Sequence, residues 1–252
     1  MAYRQMANFY DQLMDDAPYD KWLELTIDVF QQSGKTIRYV ADLGCGTGRI
    51  TTGLAKLGYN MTGVDSSEEM LSYAQQHAIS EGTEILWIHQ DLRELEGING
   101  MDAVISYCDV MNYITTEKEL RTVFRHTAKV LQAGGLFLFD VHSLYHVQND
   151  LANMTFSEVD EDVSYIWFCT PGEVEGEMHH DLTFFVADAN DKYIRFDEYH
   201  HQRTFPIDVY KKLLHEAGFE IRNIYGDFSV KQDSIEENTE RIFFIAEKRA
   251  GK

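Results

Sequence analysis

The sequence predicts an α/β fold: a doubly wound, mostly parallel seven-stranded sheet, with an antiparallel β subdomain inserted late in the chain. Three observations predict it. Short apolar runs alternate with helical segments up to residue 142, a glycine-rich turn follows the first run, and the alternation stops at Ser143 and resumes at Pro206. Parallel strands covered by helices on both faces read as such unbroken apolar runs.

Taken in order, residues 5 to 32 read as one or two helices, with Trp22, Leu23, Leu25, Ile27, Val29 and Phe30 setting a helical apolar pattern. Ile37 to Ala41 is the first strand, and Arg49 to Leu57 the helix after the turn. Residues 59 to 64 form the second strand. Ser66 is the expected N-cap of the next helix, with Glu69 three residues on as in a capping box. Strands follow at Ile85–His89, Ala103–Tyr107 and Leu136–Val141, the last after an amphipathic helix over Thr116–Leu131 and a turn at Gly134-Gly135. Beyond a short helix ending near Leu151, four strand-like runs (154–159, 163–169, 177–187, 193–204) are separated by Pro171-Gly172 and Ala189-Asn190-Asp191. Turns this short permit hairpins and not helical crossovers. Pro206 opens a helix that Gly218 ends, and strands at 219–225 and 241–247 complete the sheet. The expected organisation is a core of residues 1–142 and 206–252, with 143–205 inserted as a lid or substrate subdomain.

The turn Asp42-Leu43-Gly44-Cys45-Gly46-Thr47-Gly48 carries the first chemistry. Glycines let the chain bend sharply and bring the backbone against a ligand. Asp42 puts a carboxylate at the mouth of the bend, which suits a cationic amino group and opposes a phosphate. Asp65, closing the second strand, stands where an acid can accept bonds from a ribose diol. A nicotinamide-binding fingerprint would need a third glycine where Arg49 stands.

With Gly63-Val64-Asp65-Ser66-Ser67, Met70-Leu71 and Gln90-Asp91-Leu92 following in order, the stretch from about residue 36 to 142 resembles the class I S-adenosylmethionine-dependent methyltransferases. The N-terminal segments Phe9-Tyr10-Asp11-Gln12-Leu13-Met14 and Pro18-Tyr19-Asp20-Lys21-Trp22 are similar to a bacterial YqeM-like subgroup. The resemblance implies S-adenosyl-L-methionine as cofactor. Gly44, Gly46 and Gly48 would pass close to its methionine part, with Asp42 facing the ammonium. Asp65 would bind the ribose, Met70 would pack on adenine, and Asp91 and Leu92 would meet the adenine edge. Cys108 would lie near the methionine moiety, Cys45 and Ser66 would complete the contacts, and Tyr10 or Tyr19 would close over them.

Composition narrows the acceptor. A net charge of −20, from 22 basic and 42 acidic side chains, repels polyphosphates. No proline precedes a cysteine, as a cytosine-C5 methylating centre would need, and none sits in an Asn/Asp-Pro-Pro-aromatic motif. A small-molecule acceptor is therefore expected, with a protein acceptor open and nucleic acid disfavoured. Three scattered cysteines, no apolar leader at the start and no membrane-length apolar run fit a reduced cytoplasmic setting. Oligomeric state is not legible.

Methyl transfer needs no metal, and none is signalled. In the pairs His179-His180 and His200-His201, neighbours on a strand point to opposite faces, so each pair is a poor chelate. Near the methyl, the strand ends offer Asp109, Asn112, Tyr113 and His142, with His142 the candidate general base. A catalytically silent S-adenosylmethionine-binding partner or sensor is the alternative function.

Overall fold

The computed structural model describes residues 17–160, 162–187 and 192–250. Seven strands make one sheet: β1 (Tyr39–Leu43), β2 (Asn60–Asp65), β3 (Leu86–His89), β4 (Met101–Ser106), β5 (Leu131–His142), β10 (Phe219–Gly226) and β11 (Arg241–Lys248). Their order is β10-β11-β5-β4-β1-β2-β3, and only β11 pairs antiparallel, with β5 and with β10. The chain order reverses between β1 and β4. That reversal opens a crevice at the strands' carboxyl ends, where doubly wound sheets bind ligands.

Helices α1 (Tyr19–Gln32), α2 (Arg49–Lys56), α3 (Glu68–Ser80), α4 (Glu117–Val130) and α5 (Ile207–Glu216) flank the sheet. Trp22, Leu25, Val29 and Phe30 are buried on α1, at the spacing that puts them on one stripe. They pack with Ile50 and Leu54 of α2 against Val40, Ile105, Leu138 and Phe243. On the opposite face, Phe124 of α4 and Tyr210 of α5 pack with Phe137, Phe139 and Phe244. Phe139 stacks on Phe244 with centroids 4.9 Å apart. Burying each such ring stabilises the fold by roughly 1.5–3 kcal/mol. Both faces are thus closed, which is why the strands carry no polar alternation.

Two local expectations are corrected. Ser67, not Ser66, caps α3: its hydroxyl accepts from the Met70 amide at 3.2 Å. Ser66 is excluded because Asp65 already turns the chain, its carboxylate accepting from the Ser67 amide at 2.8 Å. Strand β5 begins at Leu131 rather than Leu136, and a register shift opposite Met101–Ala103 absorbs Gly134 at φ 76°.

The second sheet, antiparallel in the order β6-β7-β8-β9, comprises β6 (Thr155–Val159), β7 (Val163–Pro171), β8 (Glu177–Ala187) and β9 (Tyr193–Arg203). A single π-helical turn, His146–Leu151, precedes it. Its inner face is not uniformly apolar. Val163, Phe184, Val186 and Phe196 cluster at one end, and the buried row continues along β9 as Glu198, His200 and Gln202. The junction with the core is polar for the same reason. Gln202 Nε2 donates to Asp109 Oδ2 (2.8 Å), Asn112 Nδ2 donates to the Arg203 carbonyl (3.0 Å), and Tyr113 Oη pairs with His200 Nδ1 (3.1 Å). These core residues all follow β4, so the insertion stands over the carboxyl edge of the sheet.

Candidate functional site

The glycine turn is built from the backbone outward. The amides of Gly44 and Cys45 both donate to the Val64 carbonyl, and Gly48 donates to the Cys45 carbonyl. Gly44, Gly46 and Gly48 all have positive φ, which L side chains adopt only at a cost. Their reasons differ. A Cβ on Gly44 would strike Val110 at 2.5 Å, and one on Gly48 would strike Trp87 at 2.7 Å. A Cβ on Gly46 would meet nothing within 4 Å, so its bare face is the one turned to open space.

That space is a cleft of about 760 Å³. Asp42, Gly44, Cys45, Gly46, Asp65, Ser66, Met70, Asp91, Leu92 and Cys108 all line it, as do Tyr19, Arg49 and Tyr113. Gly48 does not; it is the left-handed N-cap of α2 and packs against Trp87 and Ala74. Tyr10 lies outside the described residues. His142 does not line the cleft either, but a second hollow with Tyr145, Phe205 and Ile235.

Two acids dominate the cleft electrostatically. Asp42 is 4% exposed, and its Oδ2 accepts from the Thr51 hydroxyl at 2.6 Å. Burial, reinforced by the nearby Asp65 charge and opposed by Thr51, pushes its carboxyl up to about 7. Asp65 bridges the turn to α3, accepting from Gly46 N at 2.9 Å and Ser67 N at 2.8 Å. Burial raises it as well, against the pull of those amides. Among the described residues no salt bridge reaches either acid. Asp91 differs: Arg93 donates to both of its oxygens and holds its carboxyl below the usual range. The thiols of Cys45 and Cys108 are driven upward, chiefly by burial, which disfavours the thiolate form at both.

A second acid pair lies beside the cleft. Cys108 and Asp109 both take left-handed backbone after β4, and the Asp109 amide donates to Asp140 Oδ1 at 2.9 Å. Arg241 spans the pair, 3.1 Å from Asp109 Oδ1 and 3.1 Å from Asp140 Oδ2. Trp22 Nε1 donates to Asp140 at 2.7 Å, and the Arg241 guanidinium sits 5.3 Å from the Trp22 ring centroid. His142 Nε2 is 3.5 Å from Asp109 Oδ1. Burial would raise Asp109, but His142, Arg241 and Gln202 together pull it well below the usual range. Asp140, fully buried, stays raised.

Several of these partners escape a sequence reading. Thr51, Trp87 and Arg241 reach the site through pairing and packing, not through spacing. Only Trp87 leaves a trace: Gly63 sits inside β2 directly beside it in register, and a glycine within a strand marks a close approach.

A glycine turn beside two acids that make no salt bridge among the described residues, at the switch point of a seven-stranded sheet, is the arrangement expected of a protein that holds a nucleoside with a cationic tail. Comparison with known proteins makes this specific. A methyltransferase-domain family model matches residues 40–135. A Geobacillus protein named "Putative methyltransferase" is 42% identical over 249 residues, spanning 98% of this chain and 100% of its own. YqeM of Bacillus subtilis is 41% identical over the same length, spanning 98% of each chain. The crystal structure of an S-adenosylmethionine-dependent methyltransferase from Clostridium acetobutylicum superposes with TM-score 0.89 at 30% identity, covering 98% of this chain and 99% of that one. The chain belongs to the S-adenosylmethionine-dependent methyltransferases, with YqeM-like proteins as full-length relatives. S-adenosylmethionine is the cofactor, and the relatives give no support to a catalytically silent binder.

Proposed function

We propose that this enzyme methylates a small molecule, with the cofactor held between the glycine turn, Asp65 and Met70. The acceptor would enter from the side of Tyr113 and the insertion. The observation that carries the reading is the pair Asp42–Asp65: a buried acid and a half-buried one at the turn, hydrogen-bonded by neutral donors only, beside a glycine face that meets nothing within 4 Å. The residues present therefore fit a ligand that brings its own positive charge.

Bound there, S-adenosylmethionine supplies a methyl group activated by a sulfonium. The chain's own residues do the rest. Asp42 faces the ammonium end, Asp65 accepts from the ribose hydroxyls, and Met70 and Leu92 offer apolar walls for the base. Asp91, oriented by Arg93, stands at the base edge. The left-handed Cys108 turn closes the far wall. Alignment of acceptor and methyl in a closed cleft is the main catalytic resource, worth several kcal/mol and up to about 10 in well-aligned cases. The inner row Glu198–His200–Gln202, tied to Tyr113 and Asp109, is the surface that would select the acceptor. The acidic surface charge favours a small or cationic acceptor over nucleic acid.

The test is a metabolite panel read by S-adenosylhomocysteine release, with the wild-type chain and His200→Ala. Turnover of a small molecule that falls in His200→Ala, with cofactor affinity unchanged, supports the reading. Turnover confined to proteins or nucleic acid overturns it.

A further inference from the structure

The outward face of the insertion carries a cluster that the cleft does not use. His179 on β8 pairs in register with His201 on β9, and Glu177 lies two residues from His179 on the same strand. Alternate residues of a strand share a face, so these three side chains meet although Glu177 and His201 are 24 residues apart. Their immediate neighbours His180 and His200 point inward and are buried. Adjacent histidines cannot chelate together, but cross-strand partners can.

The geometry is that of a ligand set. One donor atom from each of Glu177, His179 and His201 lies within 4.8 Å of the other two. His201 Nε2 is 2.8 Å from Glu177 Oε1, and the two imidazoles stack at 4.7 Å with 19° between planes. Donors about 2.0–2.2 Å from a tetrahedral ion stand about 3.5 Å apart, so small side-chain rotations close the set. Two of the three ligands are also oriented from behind. Glu177 Oε2 accepts from the amides of Glu173 (2.8 Å) and Val174 (3.3 Å), leaving Oε1 to face His201. His179 Nδ1 pairs with Tyr199 Oη at 2.6 Å. Such outer bonds fix ring tautomer and carboxylate direction in metal sites. Arg203, opposite Glu177, donates instead to the Glu175 and Thr115 carbonyls.

We propose that Glu177, His179 and His201 bind a divalent first-row transition ion, with zinc the best fit, and that the ion clasps β8 to β9. Two imidazoles and a carboxylate suit zinc, cobalt, nickel or copper over magnesium or calcium. Three protein ligands leave a coordination position for water. An ion bound only by the folded hairpin raises the stability of the insertion by mass action.

The experiment uses the untagged chain, stripped with a chelator and titrated with Zn²⁺ by calorimetry and with Co²⁺ by visible absorption. One equivalent should bind. His179→Ala and His201→Ala should each weaken binding by at least about tenfold, and Zn²⁺ should raise the thermal midpoint of the wild type but not of His201→Ala. His146→Ala, in a second cluster with Asp150 and Glu240, should bind as the wild type does. No saturable Zn²⁺ binding, full binding in both histidine variants, or loss of binding in His146→Ala would each overturn the proposal.

Discussion

Two acid pairs lie along the carboxyl edge of the same sheet, and they behave differently. Asp42 and Asp65 end neighbouring strands β1 and β2 and receive only a threonine hydroxyl and backbone amides. Asp109 and Asp140 lie after β4 and on β5, and share Arg241. A buried carboxylate without a partner costs several kcal/mol, and the usual relief is protonation or a counter-charge. The second pair carries its counter-charge in the chain and so forms a structural hub joining α1, β11 and the insertion. The first pair forms no salt bridge among the described residues, and burial raises both carboxyls; in the proposed function a cationic ligand supplies the counter-charge. What separates the two ends is thus an ion pair made within the chain, present at Asp109 and Asp140 and not found at Asp42 and Asp65 among the described residues.

The largest effect should come from removing the hub's cation. Arg241→Met leaves the fully buried Asp140 without its cation beside a half-buried Asp109 and should lower unfolding stability by about 3 kcal/mol, measured by urea denaturation. A loss below about 1 kcal/mol would break the distinction between the pairs.

Next, Asp65→Ala should remove the two hydrogen bonds that the proposed function assigns to the ribose hydroxyls, each worth about 1.5 kcal/mol or more to a charged acceptor. S-adenosylhomocysteine affinity should fall about a hundredfold by calorimetry. Unchanged affinity would sink the cleft assignment.

Asp42 sharpens the comparison through pH. Its carboxyl is protonated below about 7 in the free protein, whereas a bound ammonium favours the carboxylate. Cofactor binding should therefore release a proton below that pH. Affinity should rise by about tenfold per unit as pH climbs toward 7, then level off. Asp42→Asn should bind weakly with a flat profile. A wild-type profile that falls with rising pH would reverse the assignment.

The smallest effect concerns His142. It pairs with Asp109 of the compensated hub and lies outside the cleft. His142→Asn leaves Arg241 and Gln202 on Asp109, so it should cost less stability than Arg241→Met in the same urea titration and leave S-adenosylhomocysteine affinity unchanged. Loss of cofactor binding in that variant would place His142 in the wrong group.

Much of this molecule is legible from its chain because its decisive features are local. The βα rhythm, the three left-handed glycines and the acids closing β1 and β2 fall within single βαβ units, where periodicity and turn chemistry act over a few residues. The same locality makes the hairpins of the insertion readable, and the alternation that sends His179 and His180 to opposite faces. Other features wait for the tertiary structure because they depend on which distant strands become neighbours. Arg241 meets Asp109 and Asp140 only because β11 inserts antiparallel beside β5. Trp87 backs the glycine turn only because β3 pairs with β2 in the register that sets it beside Gly63. His179 meets His201 through hairpin register, and His142 is drawn to Asp109 and away from the cleft. Sequence spacing determines which groups each segment offers; strand order and register determine which of their charges are answered within the chain and which await a ligand.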